Sequence, residues 1–350
     1  MAHEITVRSN GRAEAAFTIE PAWHGLGAVL DHPMTSEEAL REAGLDWNVI
    51  QRELAVAVPE KRETPEGDVE VERFHKVKGH RANVRDDNNH LLGLVSDSYQ
   101  VVQNRDAFRF MDSLVQEGEL AYESAFSLNG GKRVVLLGRM PDVDFVAEDD
   151  QQLRYILMSL SHDGTAAIKF GATSVRVVCA NTYGLALRQD KKTVRELTIR
   201  HMGSINEQLN QARQILGLAN ESFAKYAIQA EKLAAVRLTD AQWEEYLNVL
   251  CPIPSKIDPE WTAQRERRLL QTRENITTIF RTDSRCVVGG RCDTAWGAFN
   301  AVTQHIDHLP RYGANGERRA EARFNVTQHG TGRDQKERAF QAACNLAGVA

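Results

Sequence analysis

Hydrophobic and polar residues alternate along much of the chain between residues 47 and 180. Runs rich in β-branched and aromatic residues, such as NVIQRELAVAV, VEVERFHKV, KRVVLLGRM and LRYILMSL, are separated by turn formers. Three separators are PEGD (Pro65 to Asp68), NGG (Asn129 to Gly131) and HDG (His162 to Gly164). Asn-Gly and Asp-Gly supply the positive φ angles of primed hairpin turns, and HDG fits a type I′ turn. The pattern predicts an antiparallel β-meander.

Helical signals interrupt and follow this meander. TSEEALREAGLDW (Thr35 to Trp47) and NRDAFRFMDSLVQEG (Asn104 to Gly118) each begin with a possible helix cap and end near a glycine. Asn181 or Thr182 could cap a helix that crosses the sheet after the last strand. TDAQWEEYLNVLC has the capping-box spacing of Thr239 and Gln242. Three further helices are predicted in WTAQRERRLLQTRENITTIFRT, DTAWGAFNAVTQHIDH and GRDQKERAFQAACNLAG.

The longest periodic segment runs from Met202 to Leu233, where apolar or small residues recur alternately every three and four positions. This heptad pattern predicts a helix of about 35 residues, which would span about 50 Å. A helix of this length must lie across the sheet, pair with another helix or join subunits. We favour the first arrangement, in which the helix packs within its own domain.

These elements predict an α+β protein. The expected fold is an antiparallel β-meander sheet with a crossing helix, followed by a long heptad helix and a helical C-terminal region. The division we expect is an N-terminal arm with a short helix (1–46), a sheet core domain (47–195) and a helical, basic region (196–350).

Charge is unevenly distributed along the chain. The net charge is −5, but residues 251–350 contain 15 Lys and Arg against 11 Asp and Glu. A local basic surface can therefore bind phosphates on an acidic protein, because salt screens distant charge. No apolar run approaches the roughly 20 residues of a membrane span, and no secretory leader is apparent. Five scattered cysteines favour reduced thiols. We expect a cytoplasmic protein with no membrane partner.

Positive side chains recur on and beside the central strands. Alternation places Arg154 opposite in face to Tyr155, and Lys169 opposite to Phe170, so cations could line one surface of the sheet. A basic groove with stray aromatic residues holds single strands without reading their sequence. Ordinary solvated strand charges are the alternative. The predicted nucleic-acid-binding residues are Lys132, Arg133, Arg154, Lys169, Arg176, Arg188, Lys191 and Lys192.

The sequence signals for catalytic and metal-binding residues are weaker than those for a basic surface. His162 and Asp163 could form a base with its orienting acid, but we favour a role in the turn of a hairpin. Cys179 alternates with valines, as a small buried residue does. His305 and His308 share a helical face beside Asp307, yet a third metal ligand is not identifiable. His24 has no assigned role, and Cys286 and Cys292 lack zinc-finger spacing. Phosphate-loop motifs are absent, so no cofactor and no small-molecule substrate is predicted.

Several motifs occur together in a fixed order: PAWHGLG, DSYQVVQNRDAF (Asp97 to Phe108), SHDGTAA with VRVVCANTYGLAL, and DTAWGAFNAVTQHIDH. From about Glu20 to the C-terminal helix the chain resembles the phage/plasmid-like protein family, a domain of unknown function of phages, plasmids and mobile elements. This resemblance implies a mobile-element origin, an intracellular setting and no established activity.

A weaker resemblance is to the single-strand annealing proteins of phage recombination. They share an antiparallel β-meander followed by a crossing helix and assemble into rings or filaments. This resemblance implies that the NGG hairpin, the HDG hairpin and a helix starting near Asn181 form such a core.

The leading hypothesis is a non-enzymatic protein that binds single-stranded DNA and helps pair strands during recombination or replication of a mobile element, as a homo-oligomer. The sheet cations and the arginines of 265–285 and 311–323 would neutralise phosphates. One alternative is a hydrolase or nucleic-acid modifying enzyme that uses His162, Asp163, Cys179 and Asn181. Another is a structural or host-modulating protein that oligomerises through the heptad helix.

Overall fold

A computed structural model describes residues 5–18, 27–65, 67–116, 120–164, 168–176, 181–184, 187–189, 192–194, 197–199, 205–255, 257–258, 261–309, 322–323 and 325–349. These residues form antiparallel sheets and seven α-helices, with the helices concentrated in the C-terminal part. The predicted α+β class is confirmed. None of the helices in the described ranges is both long and apolar enough to cross a membrane.

The larger sheet contains eight strands: β1 (Ala15–Thr18), β2 (Ala28–Leu30), β6 (Ala121–Leu128), β7 (Arg133–Val146), β8 (Asp150–Ser161), β9 (Ile168–Arg176), β10 (Asn181–Gly184) and β13 (Leu197–Ile199). Their order is β10-β9-β8-β7-β6-β1-β2, and β13 pairs with β9 beside β10. The pairings are antiparallel except for the parallel edge pair β1 and β2.

A second sheet is built around a long two-stranded ribbon. It contains β3 (Val49–Thr64), β4 (Gly67–Arg85) and the shorter β5 (Leu91–Ser96). β3 and β4 pair from Val49 with Arg85 at the base to Thr64 with Gly67 at the tip. The remaining strands, β11 (Leu187–Gln189) and β12 (Lys192–Val194), form a small hairpin.

The predicted hairpins are confirmed, and one turn type is wrong. Asn129 and Gly130 have positive φ angles of 52° and 68° between β6 and β7, as a primed turn requires. HDG lies between β8 and β9, but only Gly164 of its three residues has a positive φ. A type I′ turn needs two such residues, so HDG does not form the predicted turn.

The helix predicted to begin near Asn181 is not formed. Residues Asn181–Gly184 are β10, which pairs antiparallel with β9 from Asn181 opposite Arg176 to Gly184 opposite Thr173. A capping residue is a local signal, whereas an open strand edge beside the segment offers hydrogen bonds to its whole backbone. The sheet therefore takes up a segment whose local sequence also permits a helix.

The other predicted helices are confirmed. Both capping boxes form, at Thr35 with Glu38 and at Thr239 with Gln242. Asn104 does not serve as a simple cap, because its buried amide contacts Leu45 and His162. The helices are α1 (Ser36–Glu42), α2 (Asn104–Gln116), α3 (Ile205–Ala235), α4 (Asp240–Leu250), α5 (Ala263–Thr282), α6 (Ala295–His308) and α7 (Thr331–Ala347), with a π-helical turn at Asn325–His329.

The long helix α3 packs within its own chain. Its heptad residues Leu216, Ala219, Phe223, Tyr226, Ala230 and Leu233 are all buried. They belong to one hydrophobic cluster that also contains Ile156 and Phe170 of the larger sheet and Trp296 of α6. From Leu216 to Leu233 the predicted internal packing is thus confirmed, and this part of the heptad face is not available to join subunits.

Candidate functional site

The predicted basic surface of the larger sheet is divided between two faces. Arg154 lies opposite Ser174, whereas Lys169 lies opposite Ser159, five positions from Arg154 on the same strand. Because side chains alternate along a strand, residues 154 and 159 point to opposite sides. Arg133 pairs with Ser161 and so shares the face of Lys169. The cations therefore do not gather along one side of the sheet.

Arg154 is engaged by carboxylates of its own chain. Its Nε lies 2.7 Å from Oδ2 of Asp144, and its Nη1 lies 3.1 Å from Oδ2 of Asp142. Hydrogen bonding to Asp144 raises the pKa of the guanidinium. The guanidinium carbon also lies 5.4 Å from the centre of the Phe223 ring of α3. Arg154 thus links β7, β8 and α3, and only 13% of its side chain is exposed.

The structure describes the side chains of only some of the other predicted cations. Arg133 is buried and Lys132 is half-buried. For Arg176, Arg188 and Lys192 the backbone belongs to β9, β11 and β12, but their side chains lie outside the described part. Lys191 and His24 lie outside the described residues altogether.

His162 is a buried residue at the contact between the two sheets, with 1% of its surface exposed. Its Nε2 lies 2.8 Å from Oδ1 of Asn104, and Nδ2 of Asn104 donates to the carbonyl of Leu45. Since that amide oxygen must accept, the neutral imidazole carries its proton on Nε2. The ring packs edge-on against Trp47, and the carbonyl of His162 accepts from Nδ2 of Asn83.

This environment keeps His162 uncharged. Burial lowers its pKa to about 3, while Asp163 opposes the shift and Arg85 adds to it. The Asp163 carboxylate accepts a hydrogen bond from Oγ of Ser161. A buried, neutral histidine whose Nε2 already donates to Asn104 connects elements of the fold. This geometry agrees with the interpretation of HDG as a connection between two strands and not as a catalytic pair.

The remaining catalytic and metal candidates do not form a site in the described part of the chain. Cys179 lies outside that part, as does the side chain of Asn181. His305 is largely buried, and burial lowers its pKa. His308 is exposed. No group of three or more His, Cys, Asp or Glu side chains is placed to hold a metal ion within the described ranges. Cys286 is buried, and Cys292 is exposed.

Asp307, which we considered beside His305 and His308, has a different role. Nζ of the buried Lys336 in α7 lies 2.8 Å from its Oδ1, and this pair joins α6 to α7. A buried ammonium needs such a carboxylate, because an unpaired charge away from water is costly. Sequence reasoning missed the pair, since the two residues are 29 positions apart and no local pattern connects them.

A second buried ionic network was also missed. The Arg85 guanidinium lies 2.7 Å from Oε1 of Glu14 and 2.7 Å from Oδ2 of Asp87. It is stacked 4.2 Å from the centre of the Trp47 ring. Arg8 shares Glu14 at 2.9 Å. Arg85 and Glu14 are each only 1% exposed, so this network fastens the base of the ribbon to the N-terminal strand β1.

The arginines of 265–285 form two groups. In the C-terminal half of α5, Arg273 contacts Glu244 at 2.7 Å and Arg281 contacts Asp240 at 2.6 Å. Just after α5, Arg285 contacts Asp283 at 2.6 Å. In the first two turns, Arg265, Arg267 and Arg268 are exposed.

We call Trp261, Arg265, Arg267 and Arg268 the α5 basic end. A helix carries partial positive charge at its N-terminus, where acidic residues are normally favoured. Glu266 is the acidic residue there; it accepts from Nε1 of Trp261 at 3.1 Å, and its charge offsets one of the three guanidinium groups. Three guanidinium groups and the helix dipole therefore produce positive potential at the same end, next to a half-buried indole. The arrangement suits an anion joined to an aromatic ring.

Residues 91–339 match the family model described as Domain of unknown function (DUF932). The chain belongs to this family. The match begins at the first residue of β5 and ends within α7, so it includes the hairpins of the larger sheet and the α5 basic end. It leaves the β3–β4 ribbon outside. No curated protein and no solved structure matches the chain. The description of the DUF932 family names no activity.

Proposed function

We propose that this DUF932 protein is a non-catalytic single-stranded DNA-binding protein of a phage or other mobile element, acting in recombination or replication. The observation that carries the proposal is the α5 basic end, with three exposed arginines at the positive end of a helix. The motif order that resembles phage and plasmid proteins supports the mobile-element setting. The interface we propose lies on α5 rather than on the larger sheet.

The chemistry of the α5 basic end favours a single strand over a duplex. Guanidinium groups bind phosphate oxygens, and an indole at the same place stacks on an unpaired base. Arg265 and Arg268 are three positions apart and share one side of the helix, with Arg267 beside them. Leu270, which is half exposed, extends the surface with an apolar contact. Such a surface holds a strand without reading its sequence.

Replacing all three arginines tests the proposal. In Arg265→Gln/Arg267→Gln/Arg268→Gln we expect loss of about three phosphate contacts on a labelled oligothymidine. Three contacts to a single strand account for a roughly twenty-fold loss of affinity between 50 and 200 mM salt. The variant should bind more weakly at low salt and should show a correspondingly flatter salt dependence. Fluorescence anisotropy of the oligonucleotide across this salt range measures both effects.

The control removes the same charge elsewhere. Arg41, Arg109 and Lys232 are exposed on α1, α2 and α3, and their replacement by Gln lowers the net charge equally. This control should retain the wild-type salt slope. Wild-type protein that does not bind the oligonucleotide at 50 mM salt, or two triple variants with the same slope, would refute the α5 interface.

The enzymatic alternative receives no support from the described residues. His162 is buried and neutral, and its Nε2 is committed to Asn104. A general base must reach the proton that it removes, directly or through one water molecule. A second function is therefore not proposed.

A further inference from the structure

The outer part of the β3–β4 ribbon stands in solvent on both faces. From Ala55 opposite Lys76 to the tip, the described side chains of both strands are exposed or half-exposed. They include large apolar groups: 69% of Phe74 is exposed, and Val56, Val69 and Val71 are exposed as well. An isolated two-stranded ribbon is only marginally stable in water, and exposed apolar side chains on it favour association.

β4 has an open edge along this outer part. β3 pairs with one side of β4 along nearly its whole length, whereas β5 pairs with the other side only from His80 to Val84. Within the described part of the chain, no strand pairs with that side of β4 from Gly67 to Lys78. The outer edge of β3 is less suited to pairing, because Pro59 lies in its middle and has no N–H to donate.

The charges on the face of β4 that carries Phe74 are complementary to themselves. Glu70 and Glu72 lie toward the tip, Lys76 and Lys78 lie toward the base, and Phe74 lies midway between them. If a second β4 pairs antiparallel with Phe74 opposite Phe74, Glu72 lies opposite Lys76 and Glu70 lies opposite Lys78. The two-fold symmetry repeats each pair. On the other face, Val71 lies opposite Val77.

We propose that β4 pairs antiparallel with β4 of a second copy of this chain, in the register centred on Phe74. The result is a four-stranded sheet in the order β3-β4-β4-β3. Opposite charges on directly opposed strand positions stabilise a sheet, and like charges destabilise it. In the described part of the chain Glu70, Glu72 and Lys78 have no ion-pair partner, whereas Lys76 contacts Glu53 of its own strand pair.

Charge reversal tests both the partner and its orientation. Glu70→Lys/Glu72→Lys places cations at all four positions 70, 72, 76 and 78, and Lys76→Glu/Lys78→Glu places acids at all four. We expect the wild-type protein to be a dimer by sedimentation equilibrium and each double variant to be a monomer. Mixing the two double variants should produce a one-to-one heterodimer. The chain with all four replacements should again be a homodimer, because positions 70 and 78 and positions 72 and 76 again carry opposite charges.

Single cysteines test the register. In Phe74→Cys the new thiol faces its own copy, and directly opposed Cβ atoms lie about 4.5–5.5 Å apart, close enough for a disulfide after small adjustment. In the control Val71→Cys the two thiols are six residues apart along the pairing, or about 20 Å. Mild oxidation should therefore link Phe74→Cys chains through this position and leave Val71→Cys chains unlinked there, as peptide mapping shows. Wild-type protein treated identically reports on Cys292, which is exposed.

The proposal is overturned by a monomeric wild-type protein, by double variants that remain dimers, or by equal linkage at positions 71 and 74. Circular dichroism of each variant shows whether a monomer is folded. A folded monomeric double variant that does not pair with its complement also contradicts the proposed contact. The measurements use protein alone, so they are independent of single-stranded DNA binding. If replacing the α5 arginines abolishes DNA binding, the β4–β4 dimer should still form. If the β4 charge reversals abolish the dimer, the test of DNA binding at α5 is not affected.

Discussion

At the scale of single residues, the notable feature is the number of polar groups that are buried with partners. Arg85, Glu14 and Lys336 are each almost fully buried, and each forms an ion pair with a residue distant in sequence. Removing one partner of such a pair leaves a buried charge unpaired and is expected to cost about 3–5 kcal/mol. These residues connect elements of the fold and are poor candidates for binding a ligand.

His162 makes stability depend on pH. Its pKa is about 3 in the folded chain and 6.5 in its ordinary state. The unfolded chain therefore binds a proton first as the pH falls, so the contribution is complete above pH 6.5 and is lost progressively toward pH 3. Between pH 7 and pH 5 we expect this group to reduce the free energy of unfolding by about 2 kcal/mol.

Urea unfolding at pH 5 and pH 7 measures that difference. His162→Gln should be less stable than wild type at pH 7, but its stability should change less between the two pH values. Other titrating groups contribute equally to both proteins and cancel in the comparison. An unchanged pH dependence in the variant would mean that the imidazole is not the buried neutral group described above.

At the scale of elements, α3 shows how a heptad pattern can be satisfied inside one chain. The helix places Phe223 and Tyr226 against the larger sheet and α6, and the Tyr226 ring lies 5.9 Å from that of Trp296. A heptad pattern states that one side of a helix is apolar, not which surface covers it. The same sequence pattern is therefore compatible with a coiled coil or with a buried internal helix.

Two substitutions on α3 distinguish these arrangements. Phe223→Ala should reduce the free energy of unfolding by about 3–5 kcal/mol, because it leaves a cavity in the core. Ile228→Ala should change it by about 0.5 kcal/mol or less, because 59% of Ile228 is exposed. Urea denaturation gives both values. Similar effects at the two positions would contradict the orientation of the helix.

At the scale of the whole molecule, the two sheets meet at the HDG loop. Asn83 of β4 donates to the carbonyl of His162 at 2.8 Å, and β5 passes close to Asp163. A Cβ on Gly93 of β5 would lie 2.6 Å from the Cα of Asp163, closer than the backbone allows. The absence of a side chain at Gly93 thus permits the ribbon base to pack against the larger sheet.

Replacing two glycines with alanine tests this contact. Gly93→Ala should destabilise the protein by about 1–3 kcal/mol, since the sheets must separate to accommodate the methyl group. Gly217→Ala on α3 meets nothing within 4 Å and should stabilise the helix by about 0.5–1 kcal/mol. Thermal unfolding should show a lower unfolding temperature than wild type for Gly93→Ala and a higher one for Gly217→Ala. A neutral or stabilising Gly93→Ala would show that the sheets do not touch there.

Local sequence signals predicted most of the elements correctly. The helix caps at Thr35 and Thr239 act through hydrogen bonds to residues only three positions away. The turn at Asn129 depends on φ angles that asparagine and glycine tolerate. Strand alternation likewise correctly separated the side of Arg154 from that of Tyr155. Such signals determine what a segment is, because every interaction they need lies within a few residues.

The tertiary structure decided which segments and side chains meet. Asn181 joined a strand because β9 offered a free edge, and Lys169 was separated from Arg154 by strand position. Arg154 found carboxylates across a hairpin, and Arg85 found Glu14, which is 71 residues away. The sequence by itself therefore determined the helices, the hairpins and the α+β class. Pairing register and burial, which depend on contacts between distant segments, determined which cations remain exposed on the surface.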